Sequence, residues 1–305
     1  MLLSSCFPLL ISSAKCHKDD KKALLKLKAG FGNPELLPWT SHTDCCSWLE
    51  VICSSHTGRV AGLIINFANL SGTISPSIGD LPFLDTFLIQ YSSLLTGTIP
   101  YSITKLPLTG LTIKFTSLSG PIPGFLGELK DLENLDLSGN LHTGPIPDSI
   151  AALPKLNRLV LNDNHLTGKI PISLGEADLS YIYLAGNRFY GDASFLFGQS
   201  KRAIEIDLSR NQLEMDMSLL SFPQSLRLLD LSLNRIEGTI LAGLAGLIDL
   251  SFFNVSHNML CGSIPTGGRM NLFDASCYQH NKCLCGTPLP SCHHALAALI
   301  STATK

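Results

Sequence analysis

Between residues 132 and 155 the chain reads LENLDLSGNLHTGPIPDSIAALPK, in which Leu135 and Leu137 fall on one side of an extended strand and Asp136 on the other. Asn140 follows at a fixed offset and recurs as Asn164, Asn187, Asn211, Asn234 and Asn258, at steps of 23 or 24 residues. A period of that length is the mark of a solenoid, in which each coil buries its leucines only against the coils above and below. An asparagine amide inside such a stack can bond the backbone groups that the bends would otherwise strand. The GxIP segment that follows, as in Gly144, Ile146 and Pro147, supplies a turn, one buried aliphatic and a ring that fixes the chain direction.

From Val60 to about Met270 the pattern gives nine repeats, with strands centred on Leu63, Phe87, Leu111, Leu135, Leu159, Ile182, Ile206, Leu229 and Phe253. Strands spaced about 4.8 Å apart make a ribbon of roughly 40 Å, a surface suited to a protein partner. Two copies, Phe189–Ser194 and Leu213–Ser218, lack the Ile-Pro pair and predict an irregular convex side there. His142 takes a position that Leu166 and Leu213 hold elsewhere, and reads as a histidine satisfied by structural hydrogen bonds.

Composition fits one elongated body: 45% of residues are hydrophobic, only 15% charged, and the net charge of −2 gives nucleic acid no footing. Ten cysteines gather toward the two ends and none lies between Cys53 and Cys261, which predicts stapled caps in an oxidising compartment. Residues 1–14 are an apolar run with Ser12 and Ala14 at small positions, read as a signal peptide. No apolar stretch of about 20 residues follows that could cross a membrane. An N-terminal cap over 15–59 is expected to carry a helix through Lys21 to Ala29, started by Asp19 or Asp20 and stopped at Gly30, with Trp39 and Trp48 packed under the first coil. A C-terminal cap spans 271–292, and 293–305 is a tail expected to lack order. Zinc was weighed for the clustered thiols and for His280 near Cys283 and Cys285, but the N-terminal spacing has no CxxC pair; no metal or cofactor is expected.

Four stretches, DKKALLKLKAGFGNP, DCCSWLEVIC, GDASFLFG and above all HNKCLCGTPLPSC, resemble the plant polygalacturonase-inhibiting proteins, extracellular leucine-rich repeat proteins that bind pectin-degrading enzymes of pathogens. The resemblance runs from about Cys16 to Cys292. It implies an α/β solenoid, a leucine-rich repeat right-handed superhelix of the plant extracellular type, with a parallel concave β-sheet and disulfide-stapled caps. Such proteins usually carry ten repeats where nine are found here, the loss lying near Asn157 to Glu176, and Cys277 is one cysteine too many. The expected pairings are Cys16 with Cys45, Cys46 with Cys53, Cys261 with Cys283 and Cys285 with Cys292, leaving Cys277 free.

The resemblance places recognition on the concave face. Its middle exposed column reads Ile64, Leu88, Thr112, Asp136, Val160, Tyr183, Asp207, Asp230 and Asn254, flanked by residues that include Arg158, Tyr181, Glu205 and His257. The partner-binding set drawn from them is Thr112, Asp136, Arg158, Val160, Tyr181, Tyr183, Glu205, Asp207, Asp230, Asn254 and His257, because aromatic and charged groups on a rigid curved face supply hot spots. For Asp136, Asp207 and Asp230 the alternative is a solvated strand residue. The implied partner is a fungal or insect polygalacturonase, with cell-wall pectin as a second candidate ligand, and the implied setting is a monomer secreted to the cell wall. N-glycan is expected at Asn69 in NLS, and less of it at Asn254 in NVS, where it would cover the binding face. Three rival functions were weighed. An enzyme finds no nucleophile motif or phosphate loop here; a peptide-recognition module shares the same coil; an ice-binding surface would want a regular threonine row, whereas Thr73, Thr98, Pro121, Pro145, Lys169, Asp192, Thr239 and Ser263 are mixed.

Overall fold

Hydrogen bonding along the stack forms one sheet of ten strands in the computed structural model, which describes residues 14–292. The expected signal segment, Ala14 excepted, and the tail from residue 293 lie outside the described residues. Nine strands run parallel, and Leu63, Phe87, Leu111, Leu135, Leu159, Ile182, Ile206, Leu229 and Phe253 stand side by side in one register. Each is at most 3% exposed. Burying such a side chain contributes about 1.5–3 kcal/mol, so the row forms the spine of the core. The tenth strand, Val51–Cys53, pairs antiparallel with Val60–Asn66 and closes the N-terminal edge, with Ile52 lying against Gly62. The hydrophobic pattern does not announce it. Its three residues are too few to offer a long edge to another chain.

Two different ladders hold the stack. From the fourth repeat onward the asparagine amide does the work: Asn187 Nδ2 donates to the carbonyls of Leu161, Leu184 and Ala185, while its Oδ1 accepts from the Leu166 amide at 3.0 Å. Asn140, Asn164, Asn211, Asn234 and Asn258 repeat the pattern, and Asn281 extends it into the C-terminal cap. In the first three repeats the same position holds Ala68, Ser92 and Thr116. With no amide to take those backbone groups, the strands stay paired for longer, running seven residues each over Val60–Asn66, Thr86–Ser92 and Gly110–Thr116, against three from Asn134–Asp136 onward.

One residue before each ladder position the backbone turns sharply with φ between 52° and 64°, at Phe67, Tyr91, Phe115, Gly139, Asp163, Gly186, Arg210, Leu233, His257 and His280. Glycine meets that demand at Gly139 and Gly186, where a Cβ would also strike Phe115 and Asp163. In the first three repeats the corner is aromatic instead, and Phe67, Tyr91 and Phe115 stack with centroids 4.5 and 4.9 Å apart. Offset pairs of this kind contribute about 0.5–1.5 kcal/mol each beyond area burial. Tyr91→Ala is therefore expected to lower stability by roughly 1–2 kcal/mol although the residue is 43% exposed, and urea denaturation reads it. A loss within about 0.5 kcal/mol, the ordinary range for surface changes, would leave the stack as decoration.

The N-terminal cap differs in detail from its reading. The helix runs Lys18–Gly30 and His17 caps it by accepting from the Asp19 amide, so it begins three residues early. Asp20 is not a cap; it is fully buried and accepts from Arg59 Nη2 at 2.6 Å, Arg59 Nε at 3.0 Å and the Val60 amide at 2.8 Å, tying helix to first repeat. Trp39 and Trp48 stack at 5.2 Å, with Trp39 Nε1 donating to Glu50. Disulfides join Cys16 to Cys45, Cys46 to Cys53, Cys261 to Cys283 and Cys285 to Cys292, so the thiols that could have been drawn as zinc ligands are held as sulfur–sulfur bonds. Among the described residues Cys277 is the free cysteine. His142 is buried with Nδ1 3.2 Å from the Gly120 carbonyl, but Nε2 has no partner, and burial holds its pKa below the ordinary value.

Candidate partner-binding face

Register fixes which side chains share the concave surface. Thr112, Asp136, Val160, Tyr183, Asp207, Asp230 and Asn254 form one row across adjacent strands, with Arg158, Tyr181 and Glu205 in the row beside it. All of these are half-buried except Val160, at 6% exposed. That corrects its place among exposed contacts. A short aliphatic between Asp136 and Tyr183 lies below its taller neighbours and leaves a partner little to touch. His257 sits apart on the corner column, exposed and stacked on His280 with centroids 4.2 Å apart.

The row of acids is partly structural. Asp136 Oδ1 accepts from the Ser138 amide at 3.0 Å and hydroxyl at 2.6 Å; Asp230 does the same with Ser232, and Asp207 takes the Ser209 amide at 3.0 Å. Asn254 reproduces the amide bond with Ser256 at 3.0 Å. The signal was present in the repeated DLS triplet, at 136–138, 207–209 and 230–232, which puts the acceptor two residues before the serine. Asn162 has a similar duty, accepting from the Ala185 amide at 2.8 Å.

Charge on this face divides into compensated and free. Lys114 lies 3.5 Å from Asp136, so that acid carries its own counter-ion. Asp207 and Asp230 are register neighbours, and neither has a salt bridge within the described residues. Burial pushes the Asp207 carboxyl up, the Ser209 hydrogen bonds oppose it, and the Asp230 charge adds to the rise. At the centre, the Arg158 guanidinium carbon lies 5.3 Å from the Tyr181 ring centroid and 4.9 Å from that of Tyr183, and the Tyr183 hydroxyl donates to Glu205 Oε2. Arg210 and Asp163 pair at 2.9 Å along the corner column. Toward the N-terminal end the rim is the aromatic stack Phe67, Tyr91 and Phe115, which the alternation of the strand positions does not signal because the three rings meet only when the coils stack. One cleft, lined by Leu174, Glu176, Asp178 and Lys201, reaches the buried side of the strand at Ile182 and includes none of the face residues named above. Among the described residues the strand face presents a row of polar and aromatic side chains, most of them half-buried.

A stack of parallel strands, an asparagine ladder and disulfide caps define a leucine-rich repeat solenoid. The leucine rich repeat N-terminal domain model matches residues 17–54, and the Leucine Rich Repeat model matches 131–153, 155–177 and 225–247. Polygalacturonase inhibitor 1 of Arabidopsis thaliana is 43% identical over 92% of this chain and 94% of its own length; Leucine-rich repeat protein FLOR 1 of the same plant is 45% identical over 96% and 98%. Among solved structures, a plant ice-binding protein superposes with a TM-score of 0.78 and 41% identity, covering 92% of this chain and 99% of its own. The chain belongs to the polygalacturonase inhibitor family of leucine-rich repeat proteins. No helix among the described residues is long and apolar enough to cross a membrane.

Proposed function

We propose that this chain is a secreted plant defence protein that binds and inhibits pathogen endopolygalacturonases through its concave face, with no chemistry of its own. The observation that carries the reading is full-length similarity to Polygalacturonase inhibitor 1, at 43% identity, joined to an open face rich in tyrosine and charge. Inhibition then needs only a rigid surface that blocks the enzyme's cleft, and an open strand array supplies rigidity through its ladder bonds. The partner-binding set is Thr112, Asp136, Arg158, Tyr181, Tyr183, Glu205, Asp207, Asp230, Asn254 and His257, with Val160 beneath them. The protein acts as a monomer in the cell wall, and pectin is its second ligand. The deciding measurement is reducing-end release from polygalacturonate by fungal and insect enzymes with and without the protein. At least one enzyme should slow; none slowed and none bound would favour a peptide-recognition module.

Asn69 should carry N-glycan in the secreted protein. It is exposed on the outer turn with φ of 47°, whereas Asn254 lies in the strand Phe252–Asn254 with its carbonyl held by Ser256. Glycopeptide mass spectrometry should find Asn69 occupied and Asn254 largely bare. The reverse pattern contradicts this assignment of faces.

A further inference from the structure

Arg158 occupies the middle strand of the nine parallel ones, and among the described residues its guanidinium makes no hydrogen bond. Its plane is held near the rings of Tyr181 and Tyr183, at 5.3 and 4.9 Å from their centroids. Its backbone is taken up by the sheet, the amide donating to the Glu133 carbonyl; among the described residues no oxygen accepts from the side chain and no carboxylate lies within 4 Å of it. Arginine carries five donors in a fixed fork, and one held half-buried usually spends several of them on a carboxylate or on backbone. Glu205, two strands along in the same row, receives the Tyr183 hydroxyl.

The arrangement has the elements of a preformed receptor. The two rings limit where the guanidinium can swing, which lowers the entropy lost on docking, and its cation–π contacts leave the N–H edge free. A planar carboxylate matches that edge with two parallel charge-assisted bonds. Central location and an arginine between tyrosines are also what hot spots favour.

We propose that Arg158 is the docking point for an acidic side chain of the inhibited enzyme, an aspartate or glutamate received by the fork, and that Tyr183 is a positioning residue that keeps Glu205 from occupying it. This rests on the proposed function, since it names the chemistry the partner presents to that same face. It also runs opposite in sign to the neighbouring pair Asp207 and Asp230, so the partner must offer an acid at the centre and a basic patch two strands further along.

The test uses an enzyme that the full-length protein binds. Arg158→Lys keeps the charge but loses the fork, and should raise Kd about 10-fold; Arg158→Glu should raise it about 30-fold or more. Tyr183→Phe releases Glu205 toward Arg158 and should weaken binding about 10-fold, while the further change Glu205→Gln should restore much of it, a rescue that a merely structural tyrosine would not give. Binding unchanged in Arg158→Lys overturns the proposal. If no enzyme in the panel binds the wild-type protein, the proposed function fails, and Arg158 is read separately by following its Nε–Hε resonance during titration with hexaglutamate peptide and with trigalacturonate. Movement with the peptide supports an acidic protein partner; movement with the sugar acid alone, or with neither, overturns it.

Discussion

Asn187→Leu should cost roughly 2–4 kcal/mol of stability although the substitution keeps nearly the same volume. The amide is 8% exposed and sits between two coils, donating to the Leu161, Leu184 and Ala185 carbonyls and accepting from the Leu166 amide. A leucine there leaves the buried Leu166 N–H without a partner, at about 1–3 kcal/mol, and removes one of the two donors from each of the Leu161, Leu184 and Ala185 carbonyls, which keep Asn164 Nδ2, Asn211 Nδ2 and the Asp163 amide. Water cannot reach them in a packed coil, so relaxation recovers only part. Because repeats contact only their neighbours, the defect should weaken the interface between the fifth and sixth coils more than the ends. Urea denaturation with hydrogen exchange at Leu166 reads both effects, against Gln212→Ala, exposed in the short strand Gln212–Leu213, as control. A loss below about 1 kcal/mol would mean that the ladder is not what joins the coils.

The fold could be read so far from the sequence because a solenoid writes the same solution nine times. A single leucine triplet is ambiguous between strand and helix, but nine copies at one period settle the strand register down to the pairing of Leu159 with Ile182 across the shortened repeat. What the repeat does not encode is what happens where it is interrupted. The edge strand Val51–Cys53 lies outside the period, and its pairing with Val60–Asn66 follows from tertiary closure. The aromatic corner stack was hidden for a different reason: Phe67, Tyr91 and Phe115 are 24 residues apart in sequence and meet only once the coils are stacked. The binding face was legible as a list of positions, less so as a set of roles. Periodicity says that Asp136, Asp207 and Asp230 point outward, but only the bonds to Ser138, Ser209 and Ser232 reveal that each also closes a local turn. Exposure cannot be read from alternation alone: Val160 stands at an outward position of its strand and is only 6% exposed.

The division of the acids sharpens the expectation for binding. Neutralising Asp136 would leave Lys114 without its partner and change the face in two ways at once, so the informative variant is Asp207→Asn with Asp230→Asn. Asparagine retains the oxygen that the serine amides need, and Asn254 already makes that bond natively, so the coil should fold unchanged. What is lost is two negative charges that make no salt bridge among the described residues, and that under the proposed function would face basic groups of an enzyme that handles a polyacid. The association rate should fall about 10-fold at low salt with little change in dissociation, and the difference should shrink as salt rises and the Debye length drops to about 3 Å near 1 M. Acid should reproduce the effect in the wild type. Asp207 has its pKa raised above the ordinary 3.8, so as pH falls through the raised value it takes up a proton and half of the steering charge disappears. The stability term has the opposite sense: a raised folded-state pKa means the fold is favoured below the unfolded value and loses that contribution as pH rises through the folded one, so at neutral pH the double variant should be no less stable than the wild type. Surface plasmon resonance across salt and pH, with thermal unfolding alongside, reads all three. An unchanged association rate at low salt would remove these acids from recognition and leave them as turn-forming residues.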